Sequence, residues 1–153
     1  METTFGLLIA LQFLLVVLHD WLEIPGWTHS RQVQAVVGRK RLMIATAINA
    51  IFPGMAVALA ILFWRAPKPS AVTNYWLLYC SITVASAVMM WYLPYFFGAS
   101  ENTKRQYAQM YEGTRQILPP RKDHPRPNLL HICFHVLFLV NLWLAIALRL
   151  KAR

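Results

Sequence analysis

The chain alternates between long apolar stretches and short segments rich in basic residues and proline. A helix that crosses a hydrocarbon core of about 30 Å needs roughly 20 mostly apolar residues, and four stretches reach that length. Pro25 and Gly26 provide a natural end for the first of them. The pattern therefore predicts an all-α fold with four membrane-spanning helices, at about residues 4–24, 42–64, 72–97 and 129–150.

Consecutive spans that are joined by loops cross the membrane in opposite directions, which predicts an antiparallel four-helix bundle. Residues 1–153 would then form a single integral membrane domain. Gln12 and Asn141 fall near the middle of the first and fourth spans. At that depth, an amide side chain is expected to form a hydrogen bond to a neighbouring helix.

The segment between the third and fourth spans has a helical pattern of its own. Tyr107, Tyr111 and Thr114 recur at helical spacing, Ser100 or Asn102 is available as the N-cap, and a glycine follows at position 113. This pattern predicts a short amphipathic helix that lies at the membrane interface. The proline-rich stretch PPRKDHPRPN would then return to the fourth span as an extended strap.

The composition supports the membrane interpretation. Hydrophobic residues make up 58% of the chain and charged residues 14%, whereas soluble domains average roughly 45–50% and about 25%. The formal net charge of +9 is spread between the apolar stretches. It therefore indicates contacts with anionic headgroups and no role in binding nucleic acid. The expected partners are the lipid bilayer and a lipophilic small molecule.

The distribution of basic residues predicts the orientation in the membrane. Of the 15 Lys and Arg residues, ten lie in the loops that follow the first and third spans. The other five, including Arg153 at the C-terminus, lie on the opposite side. By the positive-inside rule, both long loops are expected to be cytoplasmic and both termini to lie outside.

This alternation of spans brings polar residues of all four helices to one end of the bundle. Burying ionisable groups in a membrane is costly, so such a cluster is expected to pair internally or to serve a function. The predicted catalytic residues are His19, Asp20, Glu23, His131 and His135, and the predicted cofactor-binding groups around them are Asn49, Tyr92 and Tyr95.

Two kinds of chemistry fit this residue set. His131 and His135, four residues apart on one helix face, could bind a divalent metal, zinc or iron, together with His19 and Glu23. Without a metal, a histidine beside a carboxylate could act as a general acid or base on a lipophilic substrate. Haem held between His19 and a histidine of the fourth span is a less favoured hypothesis.

Two further alternatives stay open from the sequence. The polar residues could serve only as interfacial or core side chains of a non-enzymatic four-helix subunit. They could also form the pathway of a small proton-coupled carrier, in which Glu23 would take part. The sequence predicts a membrane enzyme or metal-binding protein ahead of both alternatives.

The chain length and the four-span layout resemble the membrane-associated eicosanoid and glutathione metabolism family, which forms trimers of such bundles. The stretch RKRLMIATAINAIFP, residues 39–53, is similar to the second helix of that family, where Arg and Asn precede a proline. The resemblance implies a possible homo-oligomer. The acidic residue that the family carries near this Asn is missing, with Ala50 and Ile51 in its place, so glutathione binding is not expected.

Overall fold

The computed structural model describes residues 1–151, so Ala152 and Arg153, which belong to the predicted domain, lie outside the described residues. The described part of the chain is all-α. A π-helical turn, Val88–Tyr92, joins α4 and α5 into one continuous helix, Ser70–Phe97. The helices are α1 Glu2–Leu18, α2 Ser30–Val37, α3 Arg39–Leu62, α4 Ser70–Ala87, α5 Leu93–Phe97, α6 Glu101–Tyr111 and α7 Leu129–Lys151.

Three helices are long and apolar enough to cross a membrane, which agrees with three of the four predicted spans. They are α3, the continuous helix Ser70–Phe97 and α7, with mean hydropathies of 2.0, 1.5 and 2.2. Much of their apolar surface faces outward, and Phe97 and Leu62 are 82% and 71% exposed. This composition is consistent with a multi-pass membrane protein.

The helix α1 is shorter than the sequence predicts, because it ends at Leu18 and has 17 residues. The side chain of His19 accounts for this end. Its Nδ1 atom lies 3.0 Å from the carbonyl oxygen of Leu15 and 3.1 Å from that of Val16. A side chain that forms hydrogen bonds with the last carbonyl groups of a helix stabilises the C-terminus of the helix at that point.

The helix α2 lies in a segment that the sequence analysis treats as a loop. Its last residue is separated from α3 only by Gly38, which has φ +85° and ψ +129°. Residues with a side chain rarely adopt this positive φ. Gly38 therefore allows the chain to change direction in one residue, so that α2 and α3 form two helices.

The core joins α1, α3, α4 and α7. The helix α1 packs against α3 and α7, and α4 packs against α7 and α3. Near the middle of the helical core, the Gln12 side chain donates to the Tyr79 hydroxyl at 2.7 Å, and the Asn141 side chain donates to Gln12 Oε1 at 2.6 Å. The predicted hydrogen bonds of Gln12 and Asn141 between helices are thus confirmed. The largest apolar side chains of this core are Phe5, Ile9, Trp76, Leu144 and Leu148.

The predicted helix between the third and fourth spans is present as α6. Ser100 is its N-cap, and the Ser100 hydroxyl accepts a hydrogen bond from the Thr103 amide at 3.2 Å. Its aromatic face does not point away from the protein. Tyr107 and Tyr111 both pack against Trp91, with ring centroids 4.8 and 5.3 Å apart from that of the indole. The helix α6 therefore covers one end of the helical core.

The strap after α6 is fixed by hydrogen bonds at several points. The Arg115 amide donates to the Gly26 carbonyl at 2.8 Å, and the Leu129 amide donates to the Arg115 carbonyl at 2.7 Å. The Tyr95 hydroxyl donates to the Pro119 carbonyl at 3.1 Å. These bonds hold the segment before α7 against the segment that follows α1.

Candidate histidine site

His131 lies in the first turn of α7 and is oriented by Asn128, which caps that helix. The Asn128 Oδ1 atom accepts from the His131 amide at 3.0 Å and lies 2.7 Å from His131 Nδ1. The Asn128 amide nitrogen donates to the Trp27 carbonyl at 3.2 Å, which fixes the direction of its oxygen. Since Oδ1 accepts, Nδ1 of His131 carries the hydrogen, and Nε2 keeps a lone pair for other chemistry.

An aromatic shell surrounds His131. Its ring centroid lies 4.1 Å from that of Trp91 and 5.3 Å from that of Tyr111. These contacts come from the π-helical turn and from α6, so two separate elements bury the imidazole. Only 7% of His131 is exposed. A histidine that is buried among aromatic rings is shielded from bulk water.

The π-helical turn also explains how α6 is held in place. Pro94 has no amide hydrogen, so the carbonyl of Met90 lacks the donor that the next helical turn would supply. The Tyr107 hydroxyl donates to that carbonyl at 2.9 Å. Burial raises the pKa of Tyr107, which keeps this hydroxyl a donor. A side chain of α6 thus satisfies a carbonyl that a proline leaves free.

His19 brings a carboxylate to the edge of the cluster. Its ring meets the His131 ring edge to face, with centroids 5.8 Å apart. Its Nε2 atom lies 3.3 Å from Asp20 Oδ1, and this contact is an ion pair only when the imidazole carries both protons. Burial raises the pKa of Tyr111, and the negative charge of Asp20 raises it further. His19, Asp20 and Tyr111 therefore share one electrostatic environment beside His131.

His135 lies one turn further along α7, and its Nδ1 atom is 3.1 Å from the Tyr92 hydroxyl. These two residues line a small groove between α4 and α7, with a volume of about 100 Å³. The groove thus combines two polar groups with a mostly apolar wall. The rest of its lining is Val84, Ala87, Val88, Phe138 and Leu139.

The structure thus brings five predicted site residues into one neighbourhood. The rings of His19, His131 and His135 follow one another at centroid distances of 5.8 and 6.4 Å. Asp20 contacts the first of these rings and Tyr92 the last.

Glu23 lies outside this cluster. Its carboxylate accepts from Ser30 Oγ at 2.8 Å, lies 3.1 Å from His29 Nδ1 and accepts from the Arg31 amide at 3.4 Å. The hydrogen bond with His29 and then that from Ser30 lower the pKa of Glu23. Glu23 therefore stabilises the N-terminus of α2, where a negative charge is favourable.

Asn49 and Tyr95 also have other surroundings. Asn49 is exposed on α3 and lines a separate groove between α3 and α4. Tyr95 binds the strap through its hydroxyl, and its carbonyl oxygen lies 2.9 Å from His124 Nδ1. Of the three predicted cofactor-binding groups, only Tyr92 contacts a histidine of the site.

The four residues predicted to bind a metal ion, which include Glu23, do not fit a single metal site well in this arrangement. Glu23 is engaged at the start of α2, and the ring nitrogens Nδ1 of His131 and His135 face Asn128 and Tyr92. Within residues 1–151, no three His, Cys, Asp or Glu side chains are grouped closely enough to hold a metal ion together. We therefore derive no chemical step through a metal.

Sequence reasoning missed several residues that define the site. The sequence pattern did not assign Trp91 to the site, and it placed Tyr107 and Tyr111 on an amphipathic helix at the membrane interface. Asn128, which directly precedes the apolar periodicity of α7, had the N-cap signal that could have identified it. The contacts of the aromatic residues could not be deduced, because they depend on how α6 folds back.

Comparison with protein-family models, with curated proteins and with solved structures finds no match for this chain. The resemblance noted for the second span therefore remains confined to residues 39–53. The function has to be argued from the geometry of the site.

Proposed function

We propose that this chain is an integral membrane protein with four antiparallel spans. Its histidine site would transfer protons to and from a lipophilic small molecule. In this arrangement both long loops are cytoplasmic and both termini lie outside, as the distribution of Lys and Arg indicates. The short helix α1 completes the set of four, since its 17 residues reach about 26 Å at 1.5 Å per residue.

The observation that carries the proposal is the pairing of His135 with Tyr92 in an apolar groove. An imidazole and a phenol 3.1 Å apart can exchange a proton, and either can then face a bound molecule. The groove opens between α4 and α7, where a membrane protein meets lipid. A substrate would enter from the hydrocarbon, which fits a lipophilic compound with a carbonyl or hydroxyl group.

The other residues of the cluster have supporting roles in this proposal. His131 is held in one tautomer by Asn128 and lies between His135 and the half-buried His19. His19 and Asp20 lie nearest to the aqueous end and would exchange protons with water. The proposed reaction class is therefore an acid–base conversion such as an isomerisation, in which the protein supplies and removes protons.

The experiment follows deuterium from the solvent. Protein in lipid nanodiscs is incubated in D2O with a neutral-lipid extract, and mass spectrometry identifies any compound that gains deuterium or changes structure. We expect His135→Ala and Tyr92→Phe each to reduce the rate by about a hundredfold or more, which is the contribution typical of a general acid or base. His29→Ala, which removes a histidine outside the cluster, is the control. Equal rates with all variants would refute the proposal.

A proton-coupled carrier is the second candidate, and one specific arrangement favours it. The partly exposed pair His19 and Asp20 leads to the buried His131 and His135, so titratable groups extend from the edge of the protein inward. A carrier predicts a proton flux in liposomes that Asp20→Asn and His131→Ala abolish. Glu23→Gln should leave such a flux unchanged, because the Glu23 carboxylate is bound at the start of α2 by His29 and Ser30.

A further inference from the structure

A groove larger than that of the histidine site lies on the other side of α4 and is not part of that site. It has a volume of about 320 Å³ and runs between α3 and α4, with Val16 of α1 also in its lining. At one end, the Tyr75 hydroxyl donates across the groove to the Phe52 carbonyl at 2.8 Å. From this bond the groove extends along α4 as far as Ser86.

Most of the lining of this groove is apolar, with Ile48, Phe52, Leu78 and Ile82 among its wall residues. Its polar side chains, besides the two tyrosines, are Asn49 of α3 and Thr83 and Ser86 of α4. An extended apolar surface with a few polar groups is the usual composition of a small-molecule site.

The polar groups of Asn49 and Ser86 are not used by the protein itself. Among residues 1–151, neither the Asn49 amide nor the Ser86 hydroxyl has a hydrogen-bond partner, whereas Thr83 donates to the Tyr79 carbonyl at 2.9 Å. Asn49 also carries a backbone carbonyl without its usual donor, because Pro53 has no amide hydrogen to give four residues later. The groove is therefore lined by donors and acceptors of Asn49 and Ser86 that have no partner among the described residues.

Near Pro94, the protein does satisfy the carbonyl that a proline leaves without a donor. There the carbonyl that the proline leaves free, that of Met90, receives the hydroxyl of Tyr107. In hydrocarbon, a free backbone carbonyl is costly unless a side chain, water or ligand satisfies it. The carbonyl of Asn49 has no such side chain among the described residues, and the exposed amide beside it adds to the cost.

The depth of Asn49 limits what can bind there. It lies seven residues after Leu42, where the apolar stretch of α3 begins, so along the helix axis it is about 10 Å inside the hydrocarbon. In a membrane with a hydrocarbon core of about 30 Å, this is roughly a third of the way across. The headgroup of a phospholipid stays at the interface and cannot reach these atoms.

We infer that the groove binds a neutral lipophilic molecule that lies wholly within the hydrocarbon and carries a carbonyl or hydroxyl group, such as a quinone or an isoprenoid alcohol. Its polar group contacts Asn49 and Ser86, and its apolar body lies along Ile48 and Ile82. This inference rests on the membrane insertion proposed above but is independent of the chemistry at His135. Asn49 then serves a ligand site, separate from the histidine cluster.

The test measures the binding of three probes to the full chain in lipid nanodiscs. Labelled decylubiquinone carries carbonyl groups, farnesol carries a hydroxyl, and hexadecane carries no polar group. We expect saturable binding of the first two and none of hexadecane. Asn49→Leu and Ser86→Ala should each weaken binding about fivefold to tenfold, which corresponds to the loss of one hydrogen bond.

Matched controls separate this effect from a change in folding. Ala45→Leu adds the same side chain on an exposed part of α3, and Ser81→Ala removes a hydroxyl from an exposed part of α4; neither residue lines the groove. Both should bind the probes like the wild type. His135→Ala should also leave binding unchanged, which distinguishes this site from the proposed acid–base site.

Three outcomes would overturn the inference. Binding of hexadecane as tight as that of decylubiquinone would mean that any lipid chain fills the groove. Unchanged affinity in Asn49→Leu would show that the Asn49 amide does not bind the ligand. Dimers that cross-link in the wild type and disappear in Asn49→Leu would mean that a second copy of the chain covers the groove. Release of the protein from membranes by alkaline washing would instead refute the membrane insertion itself.

Discussion

The imidazole of His131 lies against the indole of Trp91, with ring centroids 4.1 Å apart and planes inclined by 41°. Trp91 reaches this position because the π-helical turn Val88–Tyr92 inserts an extra residue into the helical repeat. The same turn carries Tyr92 to His135. A local irregularity of one helix therefore supplies contacts to both histidines of α7.

Asn128 is expected to be the most sensitive residue outside the histidines. Asn128→Ala removes the cap of α7 and frees the ring of His131, so the free energy of unfolding should fall by about 1–2 kcal/mol. Asn128→Asp keeps an acceptor for the His131 amide and should lose less. Denaturation in detergent measures both changes, and equal stability of the wild type and the Ala variant would contradict the capping role.

The Gln12 and Asn141 side chains should stabilise the core as a pair. Because the Asn141 amide donates to Gln12 Oε1 at 2.6 Å, the double variant Gln12→Leu, Asn141→Leu should lose less stability than the two single variants together. Interhelical pairs in membranes are coupled by about 0.6 kcal/mol on average and by about 1.7 kcal/mol at most. A double-mutant cycle gives the value directly, and strict additivity would show that the two side chains do not interact.

The Tyr107 hydroxyl should hold α6 against the π-helical turn. Tyr107→Phe keeps the ring on Trp91 but leaves the Met90 carbonyl without its donor, which should destabilise the closed position of α6 by about 1 kcal/mol. Hydrogen exchange of the α6 amides would accelerate accordingly, about fivefold. Tyr111→Phe is the matched control, because no hydrogen bond of the Tyr111 hydroxyl is found within residues 1–151. Equal exchange in the two variants would argue against this anchoring.

The N-terminus of α2 should respond to acid through Glu23. The pKa of Glu23 is lowered in the folded protein, so its contribution is complete above the ordinary glutamate pKa of about 4.3. It is lost as the pH falls through the lowered folded value. Protection of the Arg31 amide against exchange should therefore stay constant at neutral pH and decrease only below about pH 4. Glu23→Gln should reduce it at neutral pH and remove its dependence on pH, whereas Glu112→Gln should do neither.

Purified protein is expected to carry neither zinc nor iron in stoichiometric amounts. The proposed chemistry needs only protons, and the carboxylate of Glu23, a predicted ligand, accepts from Ser30 at the start of α2. Elemental analysis after purification without chelators tests this, and an absorption spectrum tests for haem. One metal ion per chain that is lost in both His131→Ala and His135→Ala would contradict the proton-transfer mechanism and support the metal hypothesis.

The sequence allowed the long helices to be located because their apolar stretches are unambiguous. The starts of α3, α4 and α7 fall within three residues of the predicted positions 42, 72 and 129. That Gln12 and Asn141 form hydrogen bonds between helices followed from depth alone, since an amide in an apolar core requires a hydrogen bond. These features depend on composition and helical geometry, which a single sequence contains.

The rest of the site depends on contacts between distant segments. Glu23 was predicted to join the histidines, because helical periodicity continued past Leu18, whereas His19 ends the helix with its own side chain. The faces of Tyr107 and Tyr111 could not be assigned, since lipid and protein interiors favour the same residues. For Asn49, sequence indicated the correct end of the helix but not the face on which the residue lies.

The backbone bonds from Arg115 to Gly26 and from Leu129 to Arg115 have a consequence for biogenesis. Through Arg115 they hold the start of α7 beside Gly26, which a ribosome delivers about a hundred residues earlier, so the histidine cluster closes only after α7 has been synthesised. A nascent chain that holds the earlier helices alone has no place for its His19 ring to pack. Stalled or truncated products should therefore be recognised by membrane proteases at this end first.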